Sequence, residues 1–173
     1  MGTGKSSVGH LLASQLHFRL VDTDDLIEQQ AGRKISEIFA ELGEPRFRQL
    51  ERAVVLGLAG RQRLVIATGG GVGANSDNLA ALKKHALVVC LWAAPEFIWQ
   101  RVRHQTHRPL LQSPDPLAKI QQLLAAREPF YRQADVLVNT DLRSVREVAG
   151  QVAHHFRLFH QFSCEDNHPE PGP

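Results

Sequence analysis

Residues 1–12 read MGTGKSSVGHLL and carry part of a motif that binds phosphate. Gly4, Lys5 and Ser6 match the second half of the loop G-x-x-x-x-G-K-S/T, and apolar residues at helical spacing follow over residues 5–16. In such a loop, backbone N–H groups surround a phosphate, the lysine reaches the β- and γ-phosphates, and the hydroxyl ligates Mg²⁺. The stretch therefore predicts a nucleotide site at the start of a helix, although these three residues alone would more often be a chance helix start.

The beginning of this motif is incomplete. Counted back from Gly4, the first glycine of the pattern falls ahead of Met1, and the apolar strand that leads into such a loop is not in the sequence. Because that strand fixes the curvature of the loop, we expect the natural protein to carry an apolar strand ending in glycine before Met1. We also expect the chain as given to be less stable, and weaker in nucleotide binding, than a chain with that strand.

The composition is typical of one globular domain. The chain has 173 residues, of which 43% are apolar and 22% charged, and a formal net charge of +2. Such a small charge does not favour nucleic acid as a partner, and no apolar run approaches the ~20 residues that cross a bilayer. Two cysteines without a disulfide pattern, and no signal-peptide layout, indicate a cytoplasmic protein without a membrane partner.

Short apolar runs alternate with segments of helical periodicity along the chain. Strands are predicted at 18–22, 64–68, 86–92 and 136–140, and helices at 5–16, from Thr23 onward, and at 35–42, 47–58, 76–84, 95–102, 117–127 and 145–159. Thr23 is the expected N-cap of its helix. The alternation predicts an α/β domain of three layers, in which helices cover both faces of a parallel sheet.

Two carboxylates end the first predicted strand. Asp22 and Asp24 are two residues apart, so both point to one side of an extended chain, and the carboxyl ends of parallel strands border the ligand crevice. The same residues would also serve as N-cap and first-turn acid of the next helix, a role that suits Asp25 as well. The pair by itself fits both interpretations equally.

Glycines and arginines supply the other candidate contacts. Gly69–Gly71 follow the second predicted strand, and three glycines in a row indicate that a ligand approaches the backbone closely. Any one of Arg48, Arg108 and Arg127 is more often a surface residue, and Arg48 with Glu51 would then be a surface ion pair. Taken with the phosphate loop and the carboxylates, these arginines complete the parts of a phosphoryl-transfer site.

The ordered set of motifs resembles the shikimate kinase family. It comprises G-x-G-K-S, D-T-D, F-R-x-x-E, G-G-G, R-P-L-L and a late V-x-T, and it covers residues 1–157. The resemblance implies a P-loop kinase fold like that of the nucleoside monophosphate kinases, with a five-stranded parallel sheet and a mobile lid loop. The family's first strand is central, so its absence implies a gap between strands, and Met1 takes the place of a methionine inside the family's loop.

The resemblance also implies an activity and a set of site residues. The reaction is ATP plus shikimate giving ADP plus shikimate 3-phosphate, on the route to chorismate and the aromatic amino acids. The implied catalytic residues are Lys5, Asp24 and Arg108. Shikimate would contact Asp24, Arg48, Gly69, Gly70, Gly71 and Arg127; ATP would contact Gly2, Thr3, Gly4, Lys5, Ser6, Ser7, Arg101, Arg108 and Arg143; and Ser6 and Asp22 would hold Mg²⁺.

These expectations describe one monomeric kinase domain over residues 1–160, with a lid at about 105–116 and a disordered tail at 161–173. Two alternatives remain. A gluconate kinase-like enzyme would also bind a substrate with a carboxylate and hydroxyls, and a non-catalytic nucleotide-binding module would explain the incomplete loop. The G-G-G turn and R-P-L-L favour shikimate over gluconate.

Overall fold

The computed structural model of the chain describes residues 2–104 and 114–165. Its elements follow in the order α1 (Lys5–Leu16), β1 (Arg19–Asp22), α2 (Thr23–Ala31), α3 (Ile35–Leu58), β2 (Leu64–Ala67), α4 (Ser76–Lys83), β3 (Val89–Trp92), α5 (Pro95–Val102), α6 (Pro116–Tyr131), β4 (Val136–Asn139) and α7 (Val145–Glu165). A turn of 3₁₀ helix, Val72–Ala74, lies between β2 and α4. The predicted alternation of strands and helices is confirmed.

The four strands form two parallel pairs. β1 pairs with β2, with Arg19 opposite Leu64, and β3 pairs with β4, with Val89 opposite Val136. In the described part of the chain β2 and β3 do not pair with each other. A cavity of about 650 Å³, bordered by residues of both strands, lies between them. The sheet is therefore split into two halves, as the resemblance implied.

Helices cover both faces of the sheet because alternate residues of a strand point to opposite sides. Val65 of β2 packs against the cluster that α1 and α7 form, which includes Val8 and Val152. Its neighbours Leu64 and Ile66 pack against the cluster of α2 and α3. This arrangement confirms the predicted three-layer α/β fold.

The start of α2 differs from the prediction. Asp22, and not Thr23, is the N-cap: its Oδ1 accepts a hydrogen bond from the Asp24 backbone N–H at 2.9 Å. A carboxylate at this position also suits the positive end of the helix dipole. Thr23 is fully buried and its hydroxyl accepts from the Gly69 N–H at 3.2 Å, so it links α2 to the end of β2.

Several element boundaries move by a few residues. The predicted break between two helices at Gly43 is present as a kink inside α3, where that glycine has φ 75°. α6 runs to Tyr131, past the predicted end at Arg127 and through Pro129. α7 runs to Glu165, so residues 161–165 are helical and the predicted tail over 161–173 began too early.

The predicted lid falls largely on residues 105–113, which lie outside the described residues. Pro116, the last residue of the predicted lid, is the first of α6, and the Asp115 carboxylate caps that helix through the Ala118 N–H. None of the helices in the described ranges has the length and apolarity to cross a membrane, α7 included.

Candidate active site

The phosphate loop is formed by two glycines in the left-handed region and a buried threonine. Gly2 has φ 69° and Gly4 has φ 84°, and Thr3 between them is 7% exposed. A Cβ on Gly2 would lie 2.9 Å from a methyl of Val102, so the chain passes this close to α5 only as glycine. Gly4 is the N-cap of α1, and the first N–H groups of that helix have no capping side chain over them. Such a helix start suits a phosphate.

Asp24 lies where the phosphate loop meets the end of β2. Its carboxylate packs against Gly69, where a Cβ would come within 2.6 Å of Oδ1. Burial raises the pKa of Asp24 above its usual range, the Asp22 carboxylate raises it further, and the Lys5 ammonium opposes both effects. Lys5 is therefore close enough to Asp24 for their charges to interact, as a shared site requires.

The glycine turn after β2 is held by hydrogen bonds at each of its residues. The Gly69 carbonyl accepts from the Val72 N–H at 3.2 Å, and the Gly71 carbonyl accepts from the Ala74 N–H at 3.0 Å. The Gly70 carbonyl accepts from the Tyr131 hydroxyl at 2.9 Å. The turn is consequently an ordered element of the site, although three glycines have the widest backbone freedom of any sequence.

Arg48 reaches this turn from α3. Its Nη1 lies so close to Gly71 that a Cβ there could not be accommodated. The guanidinium donates to Glu44 at 2.9 Å and to Glu51 at 3.0 Å. Glu51 is only 1% exposed; burial raises its pKa, and the hydrogen bond from Arg48 lowers it. The pair is therefore not a surface ion pair, because one partner is buried in the fold.

Arg127 reaches the same turn from the other side, on α6. A Cβ on Gly70 would lie 3.2 Å from Arg127 Nη1 and 3.6 Å from the Tyr131 hydroxyl. Arg127 and Tyr131 are one helical turn apart and so share a face of α6. The Arg127 charge also acts on Glu51, which links the α6 arginine to the α3 ion pair.

The arginines predicted for the adenine side are held by contacts within the protein. Arg101 donates to the Thr140 hydroxyl at 2.9 Å, to the Thr140 carbonyl at 2.5 Å and to the Gly2 carbonyl at 3.4 Å. These bonds tie α5 and the end of β4 to the phosphate loop. Arg143 is exposed and donates to Gln151 of α7.

The candidate Mg²⁺ ligands have hard oxygen donors. Ser6 is exposed in the first turn of α1, and one oxygen of Asp22 is engaged in capping α2. No cluster of three or more His, Cys, Asp or Glu side chains suited to a metal occurs among the described residues. One hydroxyl and one carboxylate fit a cation that takes a few oxygen ligands from the protein and the rest from phosphate and water, which is the usual state of Mg²⁺.

The structure thus brings the predicted acceptor residues together: Asp24, Arg48 and Arg127 converge on the glycine turn. Of the arginines predicted for the nucleotide side, Arg101 bonds to the Gly2 carbonyl of the phosphate loop, Arg143 bonds to Gln151, and Arg108 lies outside the described residues. The motifs did not single out Tyr131. A signal was present, since it follows Arg127 by four residues in REPFY, which is helical spacing.

A helix start that suits phosphate, with two arginines and an aspartate gathered on a glycine turn, is the arrangement expected of a P-loop kinase of small molecules. The family model described as shikimate kinase matches residues 1–157. A shikimate kinase of Caldanaerobacter subterraneus subsp. tengcongensis is 44% identical over 152 residues, which cover 88% of this chain and 89% of that protein. The chain belongs to the shikimate kinase family.

Solved structures agree with this assignment. The shikimate kinase from Acinetobacter baumannii in complex with shikimate matches with a TM-score of 0.84 and 36% identity, over 91% of this chain and 89% of that one. A gluconokinase from Sinorhizobium meliloti has a TM-score of 0.66 at 16% identity, over 97% of this chain and 93% of that one. The second match shows a shared fold alone, so the findings favour shikimate over gluconate as acceptor.

Proposed function

We propose that the chain transfers the γ-phosphoryl group of ATP to a ring hydroxyl of shikimate, and that the acceptor lies on the glycine turn between α3 and α6. The observation that carries this proposal is the convergence of Arg48, Arg127 and Asp24 on Gly69–Gly71. Two guanidinium groups from separate helices suit a carboxylate, because each can donate two parallel hydrogen bonds. The Asp24 carboxylate beside them suits the ring hydroxyl groups, because it can accept hydrogen bonds from them.

Asp24 has two tasks in this site. It accepts from a ring hydroxyl of shikimate and orients the attacking oxygen toward the phosphate loop. Its raised pKa makes it a better proton acceptor than an ordinary aspartate, and the Lys5 charge keeps the carboxylate form accessible. Because the transition state of phosphoryl transfer is loose, orientation matters more here than basicity.

The nucleotide side depends on backbone N–H groups and one lysine. We assign contacts with the phosphates of ATP to Gly2, Thr3, Gly4, Lys5, Ser6 and Ser7. Lys5, at the start of α1, stabilises the charge on the transferring group, and the resemblance assigns the same task to Arg108. Arg101 and Arg143 remain proposals for the adenine side.

Ser6 and Asp22 are proposed to hold Mg²⁺, which would neutralise phosphate charge when bound. The contribution of the chain is to keep these oxygens near the loop: α1 begins with the Ser6 segment, and the Asp22 side chain is fixed by its bond to the Asp24 N–H. We further infer a monomeric, cytoplasmic enzyme without nucleic acid or membrane partners.

The deciding experiment is a coupled ADP-release assay on this chain with shikimate and gluconate as rival acceptors. We expect ADP release that depends on shikimate and saturates with it, and little above background with gluconate. Preference for gluconate would reverse the acceptor assignment. ATP binding without release on either acceptor would support the non-catalytic alternative.

A further inference from the structure

The glycine turn has one carbonyl that is held from a distance. Two of its three carbonyls accept local hydrogen bonds, from the backbone N–H groups of Val72 and Ala74 in the 3₁₀ turn. The third, on Gly70, accepts from the Tyr131 hydroxyl at 2.9 Å, across 61 positions of sequence. The orientation of the middle peptide of the turn therefore depends on a side chain of α6.

This bond acts on the face of the turn where the acceptor is placed. A peptide unit is planar and trans, so fixing the Gly70 carbonyl toward Tyr131 directs the Gly71 N–H the opposite way. Without a Cβ, neither glycine resists rotation of that unit by itself. The Tyr131 ring is also in contact range of Gly73, where a Cβ would lie 3.5 Å from Cε1. The Tyr131 side chain thus meets the turn at two points, at the Gly70 carbonyl and beside Gly73.

The same helix supplies one of the acceptor arginines. Arg127 and Tyr131 both lie against Gly70, as the distances of 3.2 and 3.6 Å from a Cβ at that position show. A bond from α6 to the turn therefore also fixes the distance between the Arg127 guanidinium and the backbone of the turn. If the bond between Tyr131 and the Gly70 carbonyl is lost, the Arg127 guanidinium and the glycine turn can move relative to each other.

We propose that Tyr131 is a positioning residue for shikimate, which acts through the Gly70 carbonyl and through Arg127 without touching the reacting atoms. This inference rests on the acceptor site proposed above. Its hydroxyl aligns the glycine turn with Arg127 before the acceptor arrives, so its loss costs acceptor affinity and leaves ATP binding intact.

Tyr131→Phe removes the hydroxyl and keeps the ring. We expect the KM for shikimate to rise by ~3- to 10-fold, the effect of one hydrogen bond, with the KM for ATP and the Tm close to those of the unaltered chain. Gln133→Ala is the matched control, because this exposed side chain donates to the Pro129 carbonyl in the same segment. An unchanged KM for shikimate would overturn the proposal. A joint rise of both KM values with a lower Tm would also overturn it, since that result indicates a purely structural role.

A spectroscopic test is possible because the chain contains a single tyrosine. Protein labelled with 3-fluorotyrosine should give one ¹⁹F resonance, and we expect shikimate at saturation to shift it more than a non-hydrolysable ATP analogue does. An equal or smaller shift with shikimate would contradict the proposal. Arg127→Ala distinguishes failure of the acceptor site from failure of the Tyr131 proposal. If Arg127→Ala keeps the normal KM for shikimate, the proposed acceptor site is wrong. If Arg127→Ala raises this KM and Tyr131→Phe leaves it normal, only the role of Tyr131 is rejected.

Discussion

On the acceptor side, cationic side chains from two distant helices are already arranged around a glycine turn, and Arg48 is locked by a buried glutamate. On the nucleotide side, the described contacts are those of a helix start and one lysine, while Arg101 is engaged with Thr140. The proposed acceptor site is thus built from long-range packing, and the proposed phosphate site from local backbone geometry. Substitutions on the two sides should therefore have separable effects.

The largest effect is expected on the nucleotide side. Lys5→Ala should lower kcat/KM by ~100- to 1,000-fold with any acceptor, because the loss of one preorganised cation at the transferring group costs that much. Steady-state kinetics with varied ATP will measure it, and Lys119→Ala is the control, because this partly exposed lysine of α6 bonds to Gln122 of the same helix. A comparable rate in Lys5→Ala would remove the phosphate-loop assignment.

On the acceptor side, Arg127→Ala should raise the KM for shikimate by ~10- to 100-fold, the typical loss of a hydrogen bond to a charged group, with ATP binding preserved. Arg132→Ala is the matched control, because Arg132 is on the same segment and pairs with the exposed Glu128. We would withdraw the acceptor role if the two variants behaved alike.

Glu51→Gln tests whether the buried ion pair fixes Arg48. The substitution keeps the shape but replaces one of the two oxygens that accept from Arg48 Nη1 with a donor, so we expect the KM for shikimate to rise. We expect Tm to fall by no more than about 4 °C, because removing a buried charge, whose pKa burial raises, offsets part of the lost bonding. Glu44→Gln, which removes the exposed partner of the same arginine, should change Tm very little. Equal effects of the two substitutions would show that burial of Glu51 is unimportant.

The smallest expected effect concerns pH and Asp24. The pKa of this carboxyl is raised by burial, so the folded state holds its proton to higher pH than the unfolded state, and stability falls as pH rises through that window. Asp24→Asn removes the free-energy cost of holding an ionised carboxylate at this partly buried position. The substitution should raise Tm by ~1–2 °C at pH 7, and this gain is small because Asp24 is partly solvated. The gain should vanish at low pH, where the aspartate is protonated in both the folded and the unfolded state. The substitution should also lower activity.

Thermal unfolding of both forms across pH, together with the ADP-release assay, will check this prediction. A gain in Tm that persists unchanged at acid pH would mean that the pKa of Asp24 is not the cause. Full activity in Asp24→Asn would remove the residue from the catalytic site.

Local patterns predicted the elements and the positions of the motifs. The bounds of α1 are as predicted, and the break at Gly43 was visible from the glycine. The sequence offers both Asp22 and Thr23 as N-cap of α2, because both residue types are good caps, and only the bond from the Asp24 N–H distinguishes them. α6 extends past its predicted end at Arg127 and includes Pro129 in its last turn, although proline normally stops a helix.

The sequence by itself determined the phosphate loop, the alternation of strands and helices, and the family, since each of these depends on residue type and spacing along the chain. Only the tertiary structure decided what the arginines do. Arg48 is bound to a buried glutamate, Arg127 lies on the glycine turn and Arg101 bonds to Thr140, and nothing in their local sequence distinguishes these three environments. The same holds for Tyr131 and the Gly70 carbonyl. Such contacts join residues far apart in the chain, so their geometry is fixed by the packing of whole helices on the sheet and not by any local pattern.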